Sequence, residues 1–124
     1  IVPLRAANDH GVARQDNDPR GQPVIGADGE QAGTVVDLWV DRAEMMFRYL
    51  EVGLTSGRSV LLPINFARIR RNGVEVQALL AGQFAGVPGT KHPEQVTLLE
   101  EEKIAAYYGA GTLYATPQRQ EPLL

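Results

Sequence analysis

Short apolar runs separated by turn dipeptides dominate residues 23–78. The runs are rich in β-branched and aromatic residues, which is typical of strands. Asp28-Gly29, Ser56-Gly57 and Asn72-Gly73 lie between runs, and Asp-Gly and Asn-Gly in particular accept the positive φ angles of tight hairpin turns. The pattern predicts five strands, at 24–25, 33–41, 47–52, 58–63 and 74–78. We expect a mainly β domain, a small antiparallel sheet curled into a barrel, because closure removes exposed sheet edges.

The pattern changes after Leu80. Residues 83–88 predict a short helical turn, and Thr97-Leu98-Leu99-Glu100 matches the capping box that begins a helix. One C-terminal helix is therefore expected at about 97–109, with Gly109 and Gly111 ending it. Residues 112–115 have the composition of one further strand.

The flanking segments lack this periodicity. Residues 1–22 contain prolines, glycines and polar clusters, so we expect an extended N-terminal arm. The domain itself is expected at 23–116, and 117–124 is a polar tail.

Composition narrows the class of protein. The 124 residues fit one domain, and the absence of cysteine excludes disulfides, a zinc ribbon and a thiol nucleophile. Fifteen acidic residues outnumber twelve basic ones, which argues against nucleic acid as a partner.

No apolar run reaches the ~18–20 residues of a membrane span, so we expect a soluble chain. Its start at Ile1 leads us to expect a fragment of a longer protein.

The sequence contains no recognisable catalytic or metal-binding constellation. His10 and His92 are far apart without a second ligand at metal spacing, so both are expected at the surface. Neither a nucleophile elbow nor a phosphate-loop spacing is present. We therefore expect a protein that is not an enzyme and has no metal ligands.

One cluster of charged residues surrounds the predicted turn between the second and third strands. Its members are Asp37, Asp41, Glu44 and Glu51, with Arg42 and Arg48 among them. Carboxylates at close quarters repel one another, so some take up protons near neutral pH and can relay them. The alternative is a solvated hairpin tip with an ion pair worth ~0–1 kcal/mol. The local sequence alone favours this alternative.

Trp39 and the apolar run 45–47 are expected near the same tip. They predict either contact with another molecule or, more commonly, packing in the core.

Several segments resemble the cytoplasmic domain of the photosynthetic reaction centre H subunit of purple bacteria. The segment 19–41, PRGQPVIGADGEQAGTVVDLWVD, is similar to the start of that domain, and 48–52 and 61–64 continue the similarity. The C-terminal segments VTLLEEEKI (96–104) and YYGAGTLYAT (107–116) are similar to its end. The resemblance covers 19–124 in order, although 72–89 are similar only in the general character of their residues. The wider PRC-barrel family shares the strand pattern and the first hairpin.

The resemblance implies a non-catalytic subunit with a small β-barrel (PRC-barrel) fold. Such a subunit binds no cofactor itself but caps the L and M subunits, which carry bacteriochlorophyll, bacteriopheophytin, quinones and iron. It lies on the cytoplasmic face of the photosynthetic inner membrane, held by a transmembrane helix that is absent from this chain.

The resemblance also assigns roles by position. Asp41 and Glu44 match carboxylates that take part in proton uptake near the secondary quinone, and Arg48 matches a basic neighbour. Reducing a quinone creates negative charge, which raises the pKa of nearby carboxyl groups and draws in protons. The surface histidine pair of the family would fall at or before residue 1, so His10 receives no role. The alternative function is a free-standing PRC-barrel adaptor that docks another protein, such as a ribosomal protein.

Overall fold

The computed structural model describes residues 1–6 and 18–114, without the side chains of Leu113 and Tyr114. Most of the predicted arm, at 7–17, lies outside the described residues, as do His10 and the polar tail at 117–124.

Seven strands and one long helix make up the described part of the chain. The strands are β1 (Val2–Pro3), β2 (Pro23–Ile25), β3 (Gln31–Asp41), β4 (Met46–Leu54), β5 (Ser59–Pro63), β6 (Arg68–Arg70) and β7 (Gly73–Glu75). Short 3-10 turns occur at Leu4–Ala6, Ile64–Phe66 and Ala81–Gly86, and helix α1 spans Leu98–Tyr114. The mainly β class with one C-terminal helix is confirmed.

The strands form one sheet in the order β5-β4-β3-β2-β7-β6, with β1 alongside the end of β3. All the pairs are antiparallel except β2 with β7, which is parallel. The turn Ile64–Phe66 and the residue after it connect the two ends of this path, β5 and β6. The longest ladder joins β3 to β4 and pairs Asp41 with Met46, which leaves residues 42–45 as the hairpin tip.

Two strands were not predicted, and one is shorter than predicted. β1 has only two residues, so it is below the length at which alternation is visible. β6 reads Arg-Ile-Arg with all three residues exposed, a pattern without an apolar face. The predicted strand at 74–78 is instead β7, which ends at Glu75.

The core contains side chains from both faces of the sheet and two residues of the helix. Leu50, Val52 and Val24 are fully buried in the sheet, and Ile104 and Tyr108 are fully buried from α1. The Tyr108 ring stacks on Phe66 with ring centroids 5.6 Å apart. Buried apolar area of this kind supplies most of the stability of a small domain.

Two tyrosine hydroxyl groups tie the helix to the sheet. Tyr108 donates to the carbonyl oxygen of Leu61 at 3.0 Å, and Tyr49 donates to the Glu101 carboxylate at 2.7 Å. Burial raises the pKa of both tyrosines above the ordinary value. Both hydroxyl groups therefore stay protonated as hydrogen-bond donors.

The helix begins as predicted but ends later. The Glu100 N–H donates to Thr97 Oγ1 at 3.1 Å and the Thr97 N–H donates to Glu100 Oε1 at 2.8 Å, which confirms the capping box. The prediction that Gly109 and Gly111 end the helix was wrong, and so was the strand at 112–115, because 112–114 are helical.

Close packing explains the glycine inside the helix. A Cβ atom at Gly111 would lie 2.4 Å from Leu79 Cδ2 and 2.5 Å from the Ala78 carbonyl oxygen. The missing side chain thus lets the helix backbone approach the chain after β7. The Thr112 hydroxyl donates to the Tyr108 carbonyl at 3.0 Å, one turn back, within the continuing helix.

Candidate functional site

The tip of the β3–β4 hairpin is an exposed mixture of charge and apolar surface. Met45 has a φ of 57°, in the left-handed region that favours glycine. Met45 and Met46 are 65% and 49% exposed. A non-glycine residue held in this conformation stores backbone strain, which is found preferentially at functional positions.

The three predicted site residues meet at this tip. Arg48 Nη2 lies 3.5 Å from Asp41 Oδ2 and 3.5 Å from Glu44 Oε1, so one guanidinium lies between two carboxylates. Asp41 Oδ1 accepts the N–H groups of Ala43 at 3.0 Å and Glu44 at 3.3 Å. The turn conformation therefore positions the Asp41 carboxylate, and the return strand supplies its cation.

The environment of Asp41 favours its ionised form. Partial desolvation opposes ionisation, but the hydrogen bonds from Glu44 and Ala43 and the charge of Arg48 together hold the pKa of Asp41 below its ordinary value. In the chain by itself, Asp41 is thus a charged proton acceptor rather than a proton store near neutral pH.

The other two acids of the predicted cluster lie elsewhere. Asp37 and Glu51 are paired across β3 and β4, and they are only 5% and 9% exposed. The structure thus separates the predicted cluster into an exposed tip and a buried pair. The alternation of buried and exposed positions does not distinguish the buried acids from those at the tip, because β3 is buried at four consecutive positions, 37–40.

The buried pair is bridged by a cation from the N-terminal segment. Arg5 Nη1 lies 2.9 Å from Asp37 Oδ2 and 2.8 Å from Glu51 Oε1. Trp39 Nε1 donates to the same Glu51 oxygen at 2.9 Å, and Arg5 Nη2 donates to the Pro93 carbonyl at 2.7 Å. Buried carboxylates need such partners because an unpaired charge in the interior is strongly destabilising.

Arg5 was not among the predicted site residues. It is separated from Asp37 by 32 residues and from Glu51 by 46, and β1 brings it there by pairing with the end of β3. The available signal was the pair of acids within strongly apolar strands, which requires a cation from another part of the chain.

The aromatic residues expected near the tip pack inward. Trp39 is 2% exposed and belongs to the core, and Phe47 is partly buried against it. Core packing therefore accounts for Trp39 and Phe47, whereas Met45 and Met46 stay accessible at the tip.

His92 is exposed, as predicted. Across residues 1–6 and 18–114, no three His, Asp or Glu side chains form a group that could hold a metal ion. None of the helices in these ranges has the length and apolar character needed to cross a lipid bilayer.

Comparison with protein families finds a match to a known domain family. The family model of the PRC-barrel domain matches residues 12–81, more than half of the chain. The matched range contains β2 to β7, including the hairpin tip and both buried acids, and ends before α1.

Proposed function

The chain belongs to the PRC-barrel family, and from this premise we propose that it is the cytoplasmic domain of a photosynthetic reaction centre H subunit. In this role it is a non-catalytic cap on the L and M subunits at the cytoplasmic face of the membrane. It stabilises the secondary quinone site and helps deliver protons to the reduced quinone. The pigments, quinones and iron belong to the partner subunits.

The hairpin tip is the observation that carries the proposal. Its exposed Met45 and Met46 supply flexible apolar surface of the kind that is removed from water when proteins associate. Asp41 and Glu44 lie beside this surface and share Arg48. A tip with both properties is suited to dock on a partner and to present carboxylates at the contact.

The charge state of the tip fits a relay that works only when the quinone is reduced. With Arg48 and the turn N–H groups around it, the Asp41 carboxylate is ionised in the free chain. Docking removes water and quinone reduction adds negative charge, and both effects raise the pKa of a nearby carboxyl group. The tip then takes up a proton and passes it on as the quinone is protonated. No bond other than those to the proton is made or broken.

The C-terminal helix supports the same proposal from outside the matched range. The segments 96–104 and 107–116 resemble the end of the H-subunit domain, and they contain Ile104 and Tyr108, which are fully buried against the sheet. A generic PRC-barrel does not account for these segments.

A binding experiment separates this function from a free-standing adaptor. The 124-residue chain is immobilised and exposed in parallel to L/M cores stripped of their H subunit and to ribosomal proteins. Saturable retention of the pigmented core, weakened by the double substitution M45S/M46S, is the expected result. Retention of a ribosomal protein instead would support the adaptor and overturn the proposal. The substitution Ile69→Ser, at a solvent-exposed position of β6, is the matched control because it also removes exposed apolar surface.

A further inference from the structure

A cleft of about 510 Å³ lies between the N-terminal segment, strand β5 and the loop 87–93. Charged residues along it are Arg5, Arg58, Lys91 and Glu51, and its apolar lining includes Val60, Leu61 and Pro93. Arg5 is paired with Asp37, Glu51 and, at 3.8 Å, Glu94. Arg58 and Lys91 therefore supply the positive charge of this cleft, in a chain whose formal net charge is −3. This cationic cleft is opposite in sign to the molecule as a whole, and its volume suits a small ligand.

Arg58 is held in place without being neutralised. Its Nη1 donates to the Ala85 carbonyl at 2.8 Å and its Nη2 to the Val87 carbonyl at 2.6 Å. Among residues 1–6 and 18–114, these two carbonyl oxygens are its bonded partners, and no carboxylate pairs with it. A guanidinium has five N–H donors, so the remaining donors of this fixed group are available to a ligand.

Gly89 keeps the space beside this guanidinium free. A Cβ atom at position 89 would lie 3.3 Å from Arg58 Nη2, closer than ordinary van der Waals contact. Lys91, two residues on, is exposed at the same cleft, and its backbone N–H donates to Glu100 Oε2 at 2.8 Å. Ser59 adds a hydroxyl group to the lining, whereas the Thr90 hydroxyl donates to the His92 carbonyl at 2.7 Å.

Arg5 forms the back of the cleft rather than a ligand contact. Its guanidinium is engaged with Asp37, Glu51 and the Pro93 carbonyl. These bonds fix the wall that Arg58 and Lys91 face.

We propose that the cationic cleft binds the phosphate group of a small organic phosphate, with Arg58 and Lys91 as the charged contacts. Arginine and lysine are common protein partners of phosphate because their N–H groups form charge-assisted hydrogen bonds with its oxygens. The organic part of the ligand lies against Pro93, the exposed apolar residue of the lining, since Val60 and Leu61 are only 3% and 5% exposed.

The single tryptophan of the chain is a built-in reporter of binding. Trp39 lines the cleft, and its indole N–H is bonded to Glu51, which lines it too. The 124-residue chain is titrated with inorganic phosphate and with glycerol phosphate at constant ionic strength, and tryptophan emission is recorded. A saturable change is expected with both, and tighter binding is expected for the organic phosphate.

Three variants assign the response to the cleft. Lys91→Gln is expected to raise the dissociation constant about tenfold, because a charged contact to phosphate is lost. Gly89→Leu is expected to abolish binding while keeping every charge. Arg70→Gln, which removes a surface cation paired with Glu75, is the control and leaves binding unchanged.

A parallel titration with phosphatidylglycerol vesicles identifies the source of the phosphate. A response to vesicles alone, lost in Lys91→Gln and Gly89→Leu, assigns the site to a lipid headgroup. A response to soluble phosphates assigns it to a free metabolite. The proposal is overturned if no probe gives a saturable change. It is also overturned if Lys91→Gln and Gly89→Leu bind as tightly as the parent chain and the Arg70→Gln control.

Discussion

Arg5 is the cation that pairs with the two buried acids, Asp37 and Glu51. It contacts two carboxylates that are almost inaccessible to solvent, although its own side chain is 41% exposed. Arg5→Met should lower the free energy of unfolding by about 2 kcal/mol, less than the ~3–5 kcal/mol of a fully buried pair because solvent screens the exposed arginine.

Urea denaturation at pH 7 measures this change. Arg70→Met removes the exposed contact with Glu75, 3.3 Å long, and should change the unfolding free energy by less than about 0.5 kcal/mol. Equal effects of the two substitutions would show that Arg5 does not stabilise the buried acids.

Arg48 and the N–H groups of the turn stabilise the ionised form of Asp41. We expect the Asp41 carboxyl to titrate below its ordinary pKa of 3.8, and Arg48→Gln to raise that pKa toward the ordinary value. Carbon-13 NMR titration of the Asp41 carboxyl measures both values. The same pKa in the parent chain and the Arg48→Gln variant would contradict the assignment of Arg48 as its cation.

At the scale of elements, helix α1 offers a matched pair of glycines. Gly111 faces Leu79 and the Ala78 carbonyl, whereas a Cβ atom at Gly109 would have no neighbour within 4 Å. Gly111→Ala should destabilise the protein by about 1–3 kcal/mol through overpacking. Gly109→Ala should stabilise it by up to ~1 kcal/mol through helix propensity. Thermal denaturation followed by circular dichroism compares them, and stabilisation by both would mean that the helix does not pack closely there.

The same helix shows what local sequence can and cannot predict. The capping box at Thr97 was predictable because both partners lie within four residues. The end of the helix was not, since Gly111 reads as a stop signal locally and is instead required by a neighbour more than 30 residues away. The strands β2 to β5 were predictable from β-branched runs and turn dipeptides, but the two-residue β1 and the fully exposed β6 carry no such pattern.

The residues of the candidate site also fall into two groups, those that the local sequence predicts and those that it does not. Asp41, Glu44 and Arg48 are close in sequence around one turn, so their meeting at the tip followed from the hairpin. The burial of Asp37 and Glu51 depended on the N-terminal segment, whose pairing with β3 has no local signal. The two acids within apolar strands indicated a partner cation, but the local sequence pattern could not identify it as Arg5 or predict the cationic cleft.

At the scale of the whole molecule, the stability of the fold at acid pH depends on three half-buried carboxylates. Hydrogen bonds and nearby cations lower the pKa of Asp18, Asp41 and Glu100 in the folded chain. A carboxyl group with a lowered folded pKa stabilises the fold above its unfolded pKa, and this stabilisation is lost as pH falls through the folded value. The unfolding free energy should be level above about pH 5 and fall below about pH 4.

Urea denaturation between pH 7 and pH 3 measures this profile. Glu100→Gln should give a shallower decline, because one of the three groups no longer titrates. A profile that rises toward acid pH would contradict the directions assigned to these groups.

The most direct measurement concerns the role of the hairpin tip in the reaction centre. Reaction centres stripped of their H subunit are supplied with this chain, and electron transfer to the secondary quinone is followed after successive flashes. We predict that the chain restores transfer, and that Glu44→Gln slows the second, proton-coupled transfer several-fold while leaving primary charge separation unchanged. Arg70→Gln is the control and should behave like the parent chain. Restored transfer that is equally fast with Glu44→Gln, Asp41→Asn and their double variant would contradict proton delivery by the tip, and no restoration at all would contradict docking by this domain.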